Sequence, residues 1–237
     1  MTRSDATTAP ASQTLSRGIR ILEVLADARG PLSIDEIAAR LAVHRSVAYR
    51  LLRTLEDHGL VERDAAGRIE LGARLAALAA GIAHDLQAEA LPELTAVAGD
   101  LGVTCFLAVL DHEECVTLSS VEPRHAVNPV AQRPGTRHPI TRGAPGKAIL
   151  SLLPTSSWPA GVSPELATEV ADAATRGFAT SHDEVIPSLR AVAVPLVVRG
   201  RGPAAIAVVF VASAHSDEEI AARLTRSASA IRDALGG

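Results

Sequence analysis

What this chain lacks narrows its function before any motif is read. No segment approaches the ~20 uninterrupted apolar residues needed to cross a bilayer, so no membrane partner is expected. Residues 1–14 are small and polar, without the apolar core of a signal peptide, and read as a disordered tail. With only two cysteines in 237 residues, the expected location is the cytoplasm. Cys105 and Cys115, with His112, Glu113 and Glu114 near them, match no zinc pattern of paired close ligands. A buried structural thiol is the reading for Cys105, and no metal or other cofactor is expected. The scattered histidines have no serine or cysteine nucleophile set in an elbow. The glycines at 199–202 follow a strand but precede another strand, where a dinucleotide fingerprint needs a helix. An enzyme is not expected. Lysine is nearly absent too: Lys147 stands against 22 arginines.

What is present begins at residues 33–53, SIDEIAARLAVHRSVAYRLLR, which read as two short helices around a tight turn. Ser33 and Glu36 have capping-box spacing and fix the first helix start. After the turn at Ala42 and Val43, Val47, Leu51 and Leu55 define an inward stripe on the second helix. The opposite face carries Arg45, Ser46, Tyr49, Arg50 and Arg53, and no acidic residue falls between Arg40 and Arg53. A phosphate-facing surface needs that absence of repulsion. Gly59 then stops the helix, and two short strands around residues 64–67 make a wing with Arg63 and Arg68 at its tip. An earlier helix with Leu15, Ile19, Leu22 and Leu25 facing inward completes a winged helix-turn-helix whose partner is a double-stranded DNA operator. Ser46, Tyr49 and Arg50 are placed for bases, Arg45 and Arg53 for the backbone.

Charge is distributed accordingly. Residues 1–80 carry 11 arginines and 10 acids, the remainder 12 bases and 17 acids. The chain as a whole is slightly acidic, with a formal net charge of −4, so affinity for DNA is expected to depend on the docked module and on oligomerisation, not on bulk charge.

Residues 15–26 (LSRGIRILEVLA), 30–75, and the segments GKAILSLLP (146–154), RGFA (176–179) and AVAVP (191–195) together resemble the IclR family of bacterial transcription regulators, in family order along nearly the whole chain. The expected fold class is α+β: a tail at 1–14, a winged helix-turn-helix at 15–72, a linker helix at 73–90, and a GAF-like effector-binding domain with an antiparallel sheet at 91–237. Within the last part, strands are expected at 103–110, 115–122, 127–131, 191–198 and 204–212, with helices at 91–101, 143–153, 164–176 and 217–235. The resemblance implies a homodimer or dimer of dimers whose operator binding, more often repressive, responds to a small organic acid.

Glycines around the start of the 143–153 helix suggest free amides that attract a carboxylate at Ala144, Pro145 and Gly146. The resemblance places Val127, Val130, Ser181, Leu189, Ala191, Val209 and Val211 around the same ligand. Where some relatives hold a keto acid with an aspartate, a cysteine and two serines, this chain has Ser181, Ala191, Val209 and Val211, which favours a larger and more apolar acid, aromatic in size. Two further departures matter. The 154–164 stretch is shorter than usual, which leaves open a ligand-independent regulator with a degenerate pocket. Ala42 and His44 replace the glycine and proline common in the family's turn, so the recognition helix needs a different cap. An enzyme or a protein-contact module carrying a winged helix are the remaining alternatives.

Overall fold

A computed structural model describes residues 12–28, 30–79, 84–124 and 130–236. The chain divides into two units, residues 1–82 and 83–237.

In the first unit, α1 (Gln13–Ala26), α2 (Ile34–Arg40) and α3 (Arg45–Asp57) precede an antiparallel ribbon of β1 (Val61–Arg63) and β2 (Ile69–Leu71). The capping box forms as the spacing predicts: the Ser33 amide donates to Glu36 at 2.7 Å and the Glu36 amide to Ser33 Oγ at 3.2 Å. Ser12 caps α1 through the Leu15 amide, so the first helix starts inside the stretch read as a tail. The buried stripes are rotated from those the sequence suggested. On α1, Gly18, Ile21 and Leu25 are buried, whereas Leu15 and Ile19 are 64% and 49% exposed. On α3, Ala48, Leu52 and Leu55 are buried, and Val47 and Leu51 lie at the edge. An apolar-rich helix offers two neighbouring rows at helical spacing, and the small unit has only enough partners to cover one. Ile21, Ile37, Leu52 and Ile69 are fully buried and form its centre. The wing is tied to this core by a bridge between Leu32 and Ile69.

The expected linker helix and the helix after it are divided differently. α4 (Arg74–Ala79) is short, residues 80–83 lie outside the described residues, and α5 (His84–Leu101) runs on without a break. Leu91-Pro92 reads locally as a helix start, yet α5 passes through Pro92. Leu86, Ala90, Leu94 and Val97 share one buried face there, and that packing outweighs one missing backbone hydrogen bond.

The second unit is a six-stranded antiparallel sheet in the order β5-β4-β3-β8-β7-β6. Its strands are β3 (Thr104–Asp111), β4 (Glu114–Val121), β5 (Arg137–Pro139), β6 (Ala179–His182), β7 (Arg190–Leu196) and β8 (Ala204–Phe210). Its helices after α5 are α6 (Gly143–Leu150), α7 (Pro164–Arg176) and α8 (Asp217–Ala234). The strand expected at 127–131 falls mostly outside the described residues. Residues 125–129 lie outside the described residues, 130 and 131 are not in a strand, and β5 takes the edge instead. β6, which the sequence reading did not anticipate, forms the other edge.

Alternation along the strands gives the sheet two unlike faces. Leu107, Val194, Ile206 and Val208 point toward α5 and α8. Ala108, Ala193, Ala205 and Ala207 point the other way, where Ala144 and Ala148 of α6 meet them. Small side chains on both surfaces bring α6 close to the sheet, and all eight of its residues are buried. Gly146 is required there, because a Cβ would stand 2.1 Å from the Ile140 carbonyl oxygen. Cys105 and Cys115 are buried on opposite faces, and burial pushes the Cys115 thiol up to about 12. Among the described residues no helix is long and apolar enough to cross a membrane.

Candidate DNA interface and effector cleft

The turn into α3 holds Ala42 in the left-handed region at φ 53°, a conformation that costs a residue with a Cβ roughly 1 kcal/mol. His44 is the N-cap, and its Nδ1 accepts from the Ser46 amide at 3.3 Å and lies 2.8 Å from Ser46 Oγ. Thus the cap is rebuilt from an imidazole, and Ser46 is partly engaged in it.

Arg45, Ser46, Tyr49, Arg50 and Arg53 are all exposed along one side of α3. Arg45 pairs with Asp35, both side chains being about two-thirds solvent-accessible at 62% and 65%. Such a pair is worth little in water, and a phosphate can replace the carboxylate. The side chains of Arg50 and Arg53 have no hydrogen-bond or ion-pair partner among the described residues. The wing arginines are engaged. Arg63 forms an ion pair with Glu56, and Arg68 donates to the Pro31 carbonyl at 2.8 Å and to Glu36 at 3.3 Å. Arg68 therefore fastens the wing to the start of α2. Hydrogen bonds from Ser33, with Arg68 adding to them, hold the Glu36 carboxyl below the usual carboxylate range.

In the second unit, a cleft of about 500 Å³, open mouth included, lies on the alanine side of the sheet. Phe106, Ala191 and Val209 form its floor, Pro145 of α6 one wall, and Val185, Ile186 and Leu189 another. Its polar groups are Gln132, Thr136, His138, Ser181, Glu184 and Arg190.

The amides expected to receive a ligand carboxylate are already bonded. The Gly143 amide donates to Glu184 at 2.8 Å and the Ala144 amide to Ser181 Oγ at 3.0 Å. Pro145 has no N–H, and Gly146 is the first residue whose amide the helix itself satisfies. Glu184 also contacts Nζ of Lys147, a side chain only 5% exposed that reaches Glu169 and the Thr180 carbonyl as well. The chain's single lysine thus balances the carboxylate that caps α6. Arg190 is salt-bridged to Asp217 at 2.9 Å and stacks over Phe210.

The unit 1 residues match the family model described as the IclR helix-turn-helix domain over 14–65, and residues 79–234 match the bacterial transcriptional regulator IclR C-terminal domain. This chain belongs to the IclR family. It is 31% identical to a probable transcriptional regulator, SauR, of Cupriavidus necator over 81% of this chain and 83% of that one. To the transcriptional repressor IclR of Escherichia coli it is 27% identical, over 97% and 93% of the two chains. A crystal structure of an IclR homologue from Microbacterium hydrocarbonoxydans, complexed with 4-hydroxybenzoate, superposes with a TM-score of 0.80 at 26% identity, covering 94% of this chain and 98% of that one. The protein is accordingly a DNA-binding transcriptional regulator, not an enzyme.

Against this IclR fold, the expected effector residues separate into two sets. Pro145, Ser181, Leu189, Ala191 and Val209 line one cleft. Ala144 and Gly146 are packed inside α6, Val130 faces the α6 side of the core without lining the cleft, and Val211 is 54% exposed beyond the end of β8. Val127 lies outside the described residues. Sequence reasoning missed Phe106, His138, Glu184 and Arg190. Only the fold brings β3, β5, β7 and the 183–189 segment to one place.

Proposed function

We propose that this IclR-family regulator, acting in the cytoplasm as a homodimer or dimer of dimers, represses transcription by inserting α3 into successive major grooves of its operator. Tyr49 and Arg50 read bases, with Ser46 at the edge of the contact, while Arg45 and Arg53 hold phosphates. Arg63 and Arg68 position the wing, and they meet the backbone only by sharing or exchanging their present partners. The observation that carries this reading is that Arg50 and Arg53 stand exposed and unpartnered among the described residues while Arg45, Arg63 and Arg68 are paired. Exposed Leu15 and Ile19 on α1 support association of two copies, since the described residues of the first unit cover neither. Enrichment of genomic fragments by purified protein, run beside Arg50→Ala, tests the proposal. A few palindromic promoter sites lost in the variant support it, and identical enrichment by both proteins rejects it.

The effector in this reading is a small organic acid of aromatic size bound in the cleft above Phe106 and Val209, and its unequal affinity for two states of the regulator changes operator affinity. Support comes from the apolar floor and from the homologue complexed with 4-hydroxybenzoate. Arg190, on β7, is the cation among the described cleft residues, and it meets the carboxylate by sharing the guanidinium that holds Asp217. Titration calorimetry with 4-hydroxybenzoate and pyruvate decides the point, and tight pyruvate binding with the aromatic acid silent overturns it. A second reading, a ligand-independent regulator, is favoured by one observation: Glu184 and Ser181 fill the helix terminus that was expected to anchor the acid. It predicts no response to any acid.

A further inference from the structure

His138 sits in the cleft in an unusual condition. It is 9% exposed, it lines the cleft, and neither Nδ1 nor Nε2 has a hydrogen-bond partner among the described residues. Its position is fixed from outside: β5 pairs with β4 through His138 opposite Cys115, and the neighbouring Arg137 is salt-bridged to Asp111 at 2.7 Å and Glu114 at 3.0 Å.

Gly143 brings the backbone up against the ring. A Cβ on Gly143 would lie 3.3 Å from His138 Nε2 and 2.9 Å from Val185 Cγ2, so a side chain there would crowd both, and the glycine, held at φ 81°, allows that close approach. What reaches the imidazole comes from the cleft it lines. A buried imidazole without partners costs free energy unless something polar reaches it.

Burial lowers the His138 pKa, Arg142 adding to the effect and Glu114 opposing it, so the ring entering the interaction is neutral. A neutral imidazole presents one donor and one acceptor. A carboxylate only accepts, so it serves the protonated nitrogen and can do nothing for the bare one. A hydroxyl suits either tautomer, since it donates to the bare nitrogen or accepts from the protonated one.

We propose that His138 is the specificity-determining residue of the cleft, reading a neutral hydroxyl on a ligand whose apolar body lies between Phe106 and Val209 on one side and the 185–189 segment on the other. The assignment rests on the cleft being the effector site. The ligand class it defines is a hydroxylated aromatic-sized acid, with the hydroxyl at the β5 edge of the sheet and the acid directed toward Arg190.

The test compares 4-hydroxybenzoate with benzoate by titration calorimetry on the full chain, in the parent, His138→Leu and His138→Gln, with ligand-free thermal melts alongside. The parent is expected to prefer the hydroxylated acid by about tenfold. His138→Leu loses that preference yet melts higher than the parent, because an unpartnered imidazole has been replaced by an apolar side chain. His138→Gln, whose amide reaches toward the Nε2 position, recovers part of the preference. Equal preference in parent and His138→Leu assigns the hydroxyl to another residue and overturns the proposal. If the parent binds both acids equally, the effector reading stands and the role of His138 falls. If it binds neither, the effector reading fails and the assignment fails with it.

Discussion

α3 and α6, to which the sequence assigns the DNA contact and the effector contact, are built on opposite terms. α3 keeps one face against Ile37 and Ile69 and turns its arginines out to solvent, with a cap made by the adjacent His44. α6 is buried on every side, and its terminal amides are satisfied by Ser181 and Glu184, which lie 37 and 41 residues away. A docking surface needs groups left unsatisfied in the free protein. A helix inside a core cannot leave them so, since each unpaired buried amide would cost about 1–3 kcal/mol. Substitutions in α6 should therefore act on folding, and those on the outer face of α3 on binding alone.

The sharpest test of that contrast is Gly146→Ala. Its Cβ would collide with the Ile140 carbonyl, a backbone atom that cannot step aside, and a loss of about 3 kcal/mol or more in the stability of the second unit is expected from denaturant melts. Lys147→Met comes next. It removes the cation that Glu184 and Glu169 share, and because both carboxylates keep some contact with water, the expected loss is about 2–3 kcal/mol by the same measurement. Operator affinity per folded molecule should stay within twofold, roughly the error of a gel-shift assay.

Arg50→Ala should reverse the pattern, with a melt unchanged and operator binding weaker by about 1–3 kcal/mol. If the melt falls and binding holds, the division between the two helices is wrong.

Acid offers a milder probe of the cleft. The folded pKa of His138 lies below the ordinary value of about 6.5, so as pH falls the unfolded chain takes up this proton first. Stability from this group is thus complete above about pH 6.5 and is lost as pH falls from there through the folded pKa. His138→Leu should flatten that part of the stability profile of the second unit, and an unaltered profile assigns the acid sensitivity elsewhere. The smallest effect expected is at the turn before α3. Ala42→Gly relieves the left-handed strain at φ 53° but frees the unfolded chain, for a net gain of about 0.5 kcal/mol in the first unit.

These outcomes track how much of each region was legible in the sequence. The capping box at Ser33 and Glu36 and the outward face of α3 all arise within a few residues, so periodicity exposed them. The buried rows of α1 and α3 were misread by one position because two apolar rows compete and the rest of the unit chooses. At α6 the glycines suggest room for a ligand. In the fold Gly146 makes room for the Ile140 backbone, while Gly143 and Pro145 line the cleft. His138 gave no signal in the sequence, since its condition depends on β5 pairing with β4 and on what fails to reach it.

The winged helix, its arginine face and the family can be read from the chain alone, because they depend on contacts within a turn or two of helix and on motifs in a fixed order. Which amides are already bonded, which arginines are already paired and where a buried imidazole lacks a partner among the described residues emerge only once the chain is folded. Those properties are set by groups distant in the chain, and hydrogen bonding in a core is settled only when all of its members are in place.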